Sequence, residues 1–363
     1  MNEKNASDLY LTVGHEPVVR VEDELVPLAD ELLSADQINE IIHSILTTKQ
    51  RRDFEIHWEL NTSLDMGKHG RFRVNILKQR QNPGLVIRRI VSKIPSIQDL
   101  NLPSILENLS LEKRGLILLT GMTGSGKTTT LASMINYRNK NKTGHILTIE
   151  DPIEYYHEHR KSVVTQREIG VDTESYTTAL KNSLRQRPDV ILIGEIRDKD
   201  VMEQALAASE TGHLCLATLH TNNAYQAIER IVNFFPEDQH TQVRLNLSMN
   251  LKAIVSQRLL PSLSGGLVPA LEVMLNEALI REIIVKGQYD KITDVMEQNS
   301  SMGMCTFDRA LLNLFKEGLI DEDTVLKQAD KSSDMKVKLQ AIKLGKGDSE
   351  LGNLDTSLLS MSD

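Results

Sequence analysis

Residues 121–128 read Gly121-Met122-Thr123-Gly124-Ser125-Gly126-Lys127-Thr128, the pattern G-x-x-x-x-G-K-[ST] of a phosphate-binding loop. Leu116-Ile117-Leu118-Leu119 precedes it, an apolar run suited to a buried strand, and residues 129–138 follow with a helix-compatible composition. Strand, glycine loop and helix serve one chemistry. Glycines let backbone N–H groups close around phosphate oxygens, and the helix amino terminus adds partial positive charge. On this reading Lys127 reaches the β- and γ-phosphates and Thr128 holds Mg²⁺, with Thr129 among the nucleotide-binding residues. ATP and Mg²⁺ are the expected ligands.

Beyond the loop, three strand-like runs each end in reactive side chains. Residues 145–149 lead into Glu150-Asp151-Pro152-Ile153-Glu154, residues 190–193 into Gly194-Glu195-Ile196-Arg197-Asp198, and residues 214–219 into His220-Thr221-Asn222. In a doubly wound parallel sheet, ligands bind beyond the carboxyl ends of the strands, so these residues converge on the edge that holds phosphate. One carboxylate must orient or deprotonate the attacking water, and another must support the Mg²⁺ shell. Glu154 and Glu195 are the candidates, and Asp189, which opens its strand, is a weaker one. His213 and His220 are placed to sense the γ-phosphate. His157 and His159 form an H-x-H pair, but no third ligand lies nearby and a metal site is not expected.

Ahead of the loop, residues 9–13, 18–21 and 25–28 are short β-type runs. Ser34-Ala35-Asp36-Gln37 forms a capping box, followed at helical spacing by Ile38, Ile41, Ile42, Ile45 and Leu46. Phe54, Ile56, Trp58 and Leu60 alternate with polar residues, which predicts a strand, and the same alternation recurs at Phe72, Val74 and Ile76. The wet face of that second strand carries Arg71, Arg73 and Asn75, and Arg88 and Arg89 lie in a further β-like run. These features describe a small α+β domain with a basic sheet face. An arginine on such a face is either solvated or a γ-phosphate finger, because its planar fork stays charged and grips phosphate in two places.

After the core, residues 223–234 are amphipathic, residues 238–260 read as one long helix closing at Pro261, and residues 268–275 as a last core strand. Short helices follow at 278–286, 292–298, 306–316 and 321–329, with Gly318 as a helix stop. The polar residues beyond Gly345 are expected to be disordered.

The 363 residues carry a net charge of −8, with a pI near 5.8. No global basic field favours nucleic acid, which argues against a nucleic-acid translocase sharing this loop. No apolar run is long enough to span a bilayer. Cys215 and Cys305 make neither a disulfide framework nor a C-x-x-C pair.

The order of motifs resembles the secretion-ATPase superfamily. The phosphate loop, residues 148–154, residues 194–198 and residues 211–221 resemble its Walker A, Asp box, Walker B and His box in turn. Within it the likeness is to the PilT/PilU family of type IV pilus retraction ATPases, over about residues 6–342. Ala6-Ser7-Asp8-Leu9-Tyr10-Leu11-Thr12 and Gly70-Arg71-Phe72-Arg73-Val74-Asn75 fit its amino-terminal domain. Residues 267–275, residues 303–311 and Gln328-Ala329-Asp330-Lys331 look more like the PilU-type accessory paralogues. Ala278-Leu279-Ile280-Arg281-Glu282 departs from the A-I-R-N-L-I-R-E motif of PilT.

The resemblance implies an α/β fold with a RecA-like P-loop NTPase core, an amino-terminal α+β (PAS-like) domain and a carboxyl-terminal helical region. The expected boundaries are 1–95, a linker at 96–104, the core at 105–275, helices at 276–344 and the tail at 345–363. It also implies that Glu154 is the catalytic Asp-box glutamate, Glu195 the Walker B glutamate, and His213 and His220 the His-box pair. Arg73 and Arg88 fall where the amino-terminal domain supplies arginines to nucleotide, with Arg71 as a rival. The expected protein is a cytoplasmic homo-hexamer that hydrolyses ATP and helps retract pili. Its implied partners are a PilT-type retraction ATPase and an inner-membrane platform protein of the PilC type. An assembly ATPase of the PilB/GspE type carries a tetracysteine zinc site, which two cysteines cannot build.

Overall fold

The computed structural model describes residues 1–22, 24–90 and 93–344. They form two compact units. The first comprises Met1–Ile94 with Asp151–His157 and Arg167–Ser175, and the second holds the remaining described residues. The tail at 345–363 lies outside the described residues.

The first unit begins with strands β1 (Asp8–Thr12), β2 (Val18–Val21) and β3 (Glu24–Pro27), then helices α1 (Ala35–Ile45) and α2 (Thr48–His57). Strands β4 (Glu59–Asp65), β5 (Arg71–Gln79) and β6 (Asn82–Arg89) complete a six-stranded sheet of order β3-β2-β1-β6-β5-β4. Its pairings are antiparallel. Alternation decides which face is covered: Val74, Ile76 and Leu85 are buried with Ile38, Ile42 and Phe54 of the two helices and Leu46 just past the first in one core. The Ser34 capping box forms as its spelling predicts.

The strand expected around Phe54 to Leu60 is corrected. Residues 48–57 are helical because Thr47 and Gln50 close a second capping box. Trp58 then stops the helix in the left-handed region (φ 63°), its N–H bonded to the Phe54 carbonyl. The period-two pattern straddles a helix end and a strand start. Phe54 enters the core, while Ile56 and Trp58 stay 67% and 61% exposed.

The second unit opens with α3 (Ile105–Ser110), β7 (Gly115–Thr120), α4 (Lys127–Asn141), β8 (Gly144–Glu150) and β9 (Ser162–Glu168), whose last two residues, Arg167 and Glu168, belong to the first unit. It continues with α5 (Tyr176–Ser183), β10 (Val190–Ile193), α6 (Lys199–Glu210), β11 (Leu214–Leu219), α7 (Ala224–Asn233) and α8 (His240–Asn250). Strands β12 (Leu251–Pro261) and β13 (Leu267–Leu275) close a seven-stranded sheet of order β13-β12-β7-β11-β10-β8-β9. Strands β7, β10 and β11 are buried along their whole length, as strands covered on both faces must be. Five helices follow: α9 (Ala278–Lys286), α10 (Ile292–Gln298), α11 (Phe307–Lys316), α12 (Glu322–Gln328) and α13 (Ser332–Lys343).

The long helix expected over 238–260 is also corrected. The helix ends at Asn250, and the chain turns extended at Leu251. From Leu251 the chain forms an eleven-residue strand that pairs with β7 through Ser256 and with β13 from Ala253 to Pro261. A continuous apolar run cannot be told from a buried helix by periodicity, and here partners on both edges make it a strand.

Candidate nucleotide site

In the second unit the phosphate loop joins β7 to α4. Gly121, Gly124 and Gly126 have φ of 145°, 79° and 86°, a region that side chains with a Cβ rarely adopt. A Cβ on Gly121 would lie 2.4 Å from the Gln257 carbonyl oxygen, and one on Gly126 2.7 Å from Gln257 Nε2. The glycines therefore let the loop press against β12. Gln257, 3% exposed, also accepts a 2.8 Å hydrogen bond from Thr130 Oγ1. It backs the loop from behind, and it lies inside the stretch whose periodicity suggests a helix, so its place is invisible in the sequence.

These residues fit a triphosphate. Lys127 Nζ donates to the carbonyls of Gly121 and Met122 at 2.7 and 2.8 Å, folded over the loop as a phosphate-seeking ammonium would be. The α4 amino terminus has no side-chain cap, as an anion-binding helix start requires. Ser125 Oγ is buried without a hydrogen-bond partner among the described residues. Mg²⁺ carried in on phosphate needs only one or two protein oxygens, and the Thr128 hydroxyl and the Glu195 carboxylate are donors of the kind it takes. A cavity of about 860 Å³ opens beside residues 121–125, bordered by the carboxyl end of β12 and the turn at 328–331.

Glu195 leaves the carboxyl end of β10. Gly194 allows the close approach: a Cβ there would meet the Tyr176 hydroxyl at 2.8 Å. Thr218 Oγ1 donates to the Gly194 carbonyl at 2.6 Å, which ties the turn to β11. His220 Nε2 then lies 3.2 Å from Glu195 Oε1, and Arg197 Nε donates to Glu195 Oε2 at 2.8 Å. Two strand ends thus bring Glu195 and His220 together, as the spacing predicts.

His213 is not brought there. It precedes β11, its carbonyl accepts the Gly115 N–H at the amino end of β7, and its Nδ1 lies 3.0 Å from the Ala208 carbonyl. The six residues of β11, about 20 Å at ~3.3 Å each, separate it from His220. Asp189 likewise sits at the amino end of β10, accepting the His145 N–H at 2.8 Å, and is structural.

Arg258 on β12 connects the loop's backing strand to the helical region. Its guanidinium lies 3.8 Å over the Phe307 ring and donates to the Gln328 carbonyl and Asp330 Oδ1 at 2.7 and 3.0 Å. Nearby Glu272 is buried on β13, accepting the Ala224 N–H at 2.7 Å and the Ser256 hydroxyl at 3.1 Å. Burial pushes its carboxyl up to about 7. No motif marks any of these groups. Burial pushes the two thiols up as well, Cys215 to about 12 and Cys305 to about 11, so neither is a nucleophile.

The first unit holds Glu154, Arg73 and Arg88. Glu154 is exposed on the Asp151–His157 stretch. Cross-strand register sets Ser63, Arg73, Arg88, Asp8 and Arg20 in one row over the wet face of the sheet. Arg88 Nε pairs with Asp8 Oδ1 at 2.8 Å, and Asp8 is 4% exposed. Burial raises the Asp8 carboxyl, but hydrogen bonds from Arg88 and Ser7 outweigh it and hold the group below its usual range. Among the described residues no carboxylate pairs with Arg73. His157 is buried and pushed down to about 4 by loss of solvent, a neutral imidazole.

Known proteins match this arrangement nearly end to end. The chain is 49% identical over 346 residues to the type IV pilus ATPase PilU of Pseudomonas aeruginosa, covering 95% of this chain and 90% of that one. To the type IV pilus retraction ATPase PilT of the same organism it is 40% identical, covering 90% and 95%. The solved pilus retraction motor PilT with bound ADP superposes with a TM-score of 0.85 at 42% identity, over 91% of this chain and 95% of that one. The ATPase DotB of Legionella pneumophila follows at 0.80 and 25%, over 89% and 91%. The family described as Type II/IV secretion system protein matches residues 33–284. With that match over most of its length, the chain belongs to the type II/IV secretion system protein family, on the branch that holds PilU and PilT.

Proposed function

We propose that this protein is an ATP-hydrolysing motor of the type IV pilus machinery that assists retraction as a PilU-like ATPase beside a PilT-type partner. The observation that carries the reading is the Glu195 carboxylate, held by His220 and Arg197 at the strand edge next to an intact phosphate loop. Lys127 and the loop amides bind the β- and γ-phosphates. Thr128 and Glu195 would hold Mg²⁺ carried in with the nucleotide, which would supply charge neutralisation to the phosphates. Glu154 takes the proton of the attacking water, and His220 orients Glu195 and senses the γ-phosphate.

The working form we propose is a homo-hexamer in which Arg73 of one copy serves the nucleotide of the next, with Arg88 beside it. Among the described residues no helix is long and apolar enough to cross a membrane. In this reading the motor works in the cytoplasm and acts on an inner-membrane platform protein of the PilC type. A nucleic-acid partner is disfavoured by the net charge of −8.

Turnover of the purified protein, compared with Glu195→Gln and with mass by light scattering on both, tests the reading. We expect a hexamer whose turnover falls by at least ~100-fold in the variant. Turnover only after adding a PilT-type partner would assign the accessory role. No turnover with or without that partner would sink the motor.

A further inference from the structure

Glu168 ends β9 in the first unit and is 2% exposed, although nothing in its spelling marks it out. A buried carboxylate is costly unless its oxygens are bonded, and these are. Its Oε2 accepts the N–H of Ile153, the residue before Glu154, at 3.2 Å. Burial raises the Glu168 carboxyl, while the Ile153 N–H, the Arg71 charge on β5 and a side-chain hydrogen bond from Ser63 on β4 act against that rise. Arg71 also donates from Nη2 to Ser63 Oγ at 3.4 Å.

The backbone of Glu168 is anchored too. Its N–H donates to Asp172 Oδ2 at 2.9 Å, and its carbonyl accepts the Asp172 N–H at 2.8 Å. One side chain therefore joins three pieces of chain that are far apart in sequence: the turn at 168–173, the stretch carrying Glu154, and the sheet face carrying Arg71 and Arg73.

We infer that Glu168 is a positioning residue that fastens the Glu154 stretch to the arginine face of the amino-terminal sheet. The hydrolytic glutamate and the arginines then travel as one body, with Glu168 as the pin. The consequence for turnover rests on the proposed catalytic role of Glu154, while the pin itself rests on geometry alone. Gln at position 168 keeps an acceptor for the Ile153 N–H and a similar volume. Ala keeps neither.

The test uses the full-length protein in two measurements. Amide hydrogen exchange over residues 151–157, without nucleotide, should speed up at least tenfold in Glu168→Ala and less than threefold in Glu168→Gln. Ser63→Ala, which removes a hydroxyl and leaves the carboxylate in place, should speed it up two- to threefold, and it stands in if Glu168→Ala does not fold. For turnover, Glu168→Ala should lower kcat about tenfold with KM unchanged, Glu168→Gln should restore most of it, and Glu168→Ala placed on Glu154→Gln should cost less than a further twofold. Unchanged exchange over 151–157 in both Glu168→Ala and Ser63→Ala would overturn the pin. Faster exchange with full turnover, where Glu154→Gln alone is inactive, would overturn the positioning role. Faster exchange where Glu154→Gln is itself fully active would uphold the pin and remove Glu154 from the chemistry.

Discussion

The two sheets of this molecule carry their chemistry in different places. In the seven-stranded sheet, strands β7, β10 and β11 are buried from end to end, so functional side chains can emerge only where strands stop. Lys127, Glu195 and His220 all follow carboxyl ends. The six-stranded sheet packs its two helices on one face, and its functional candidates lie along the other, in the row Ser63, Arg73, Arg88, Asp8 and Arg20. An end-of-strand site is spelled as a motif. A face site is spelled as ordinary alternation, and a solvated arginine reads the same as a working one.

Arg73 and Arg88 sharpen that contrast, because they are cross-strand neighbours with different partners. Arg88 is committed to Asp8, whereas Arg73 has no carboxylate partner among the described residues. Arg73→Ala should lower turnover by roughly 10³-fold, the scale of a lost arginine finger, with little change in stability. Arg88→Ala should instead strand the buried Asp8 carboxylate and cost about 1–3 kcal/mol of stability. If the arginines act across copies, mixing Arg73→Ala with Lys127→Ala subunits should restore part of the activity, because some junctions then hold one intact half of each. Equal kinetic losses in Arg73→Ala and Arg88→Ala, with no rescue on mixing, would dissolve the distinction between them.

The units also differ in how protons bear on their stability. Glu272, in the second unit, has a folded pKa near 7, raised above its unfolded value. Between those two values the folded state holds more protons, so stability falls as pH rises and levels off above about 7. His157, in the first unit, is lowered to about 4, so its contribution is complete above the unfolded value and is lost as pH falls through 6.5 towards 4. Glu272→Gln removes the charge and keeps an oxygen that can accept from both the Ala224 N–H and the Ser256 hydroxyl. It should gain on the order of 3 kcal/mol at pH 8 and little at pH 5. Thermal midpoints of wild type and variant at the two pH values test this. A gain independent of pH would mean that Glu272 is not held neutral.

Much of the core was legible because its physics is local. The loop needs its glycines, and strands buried on both faces need unbroken apolar runs. The capping box at Ser34 names its helix from two side chains. Other parts depend on neighbours distant in sequence. Residues 251–261 are a strand only because β7 and β13 flank them, and Gln257 backs the loop only through that register. His213 and Asp189 sit beside strands whose other ends are functional, and a sequence does not display which end is which until the sheet is assembled. Glu154 belongs to the amino-terminal unit although its neighbour Glu150 ends a core strand, a division that chain continuity hides.

The smallest expected effect tests the correction at residues 48–57. Were these residues a strand, Ile56 would share the inward face with Phe54, and Ile56→Ala would cost about 2–5 kcal/mol as a core deletion. In the helix Ile56 is 67% exposed, and Ala is the better helix former there. The substitution should therefore leave stability within about 0.5 kcal/mol. Phe54→Ala, one helical face away and 7% exposed, should cost about 3–5 kcal/mol. The pair separates the two readings cleanly, because alternation makes the residues equivalent and a helix end makes them opposites. Urea unfolding midpoints for both variants decide it, and equal losses at the two positions would restore the strand.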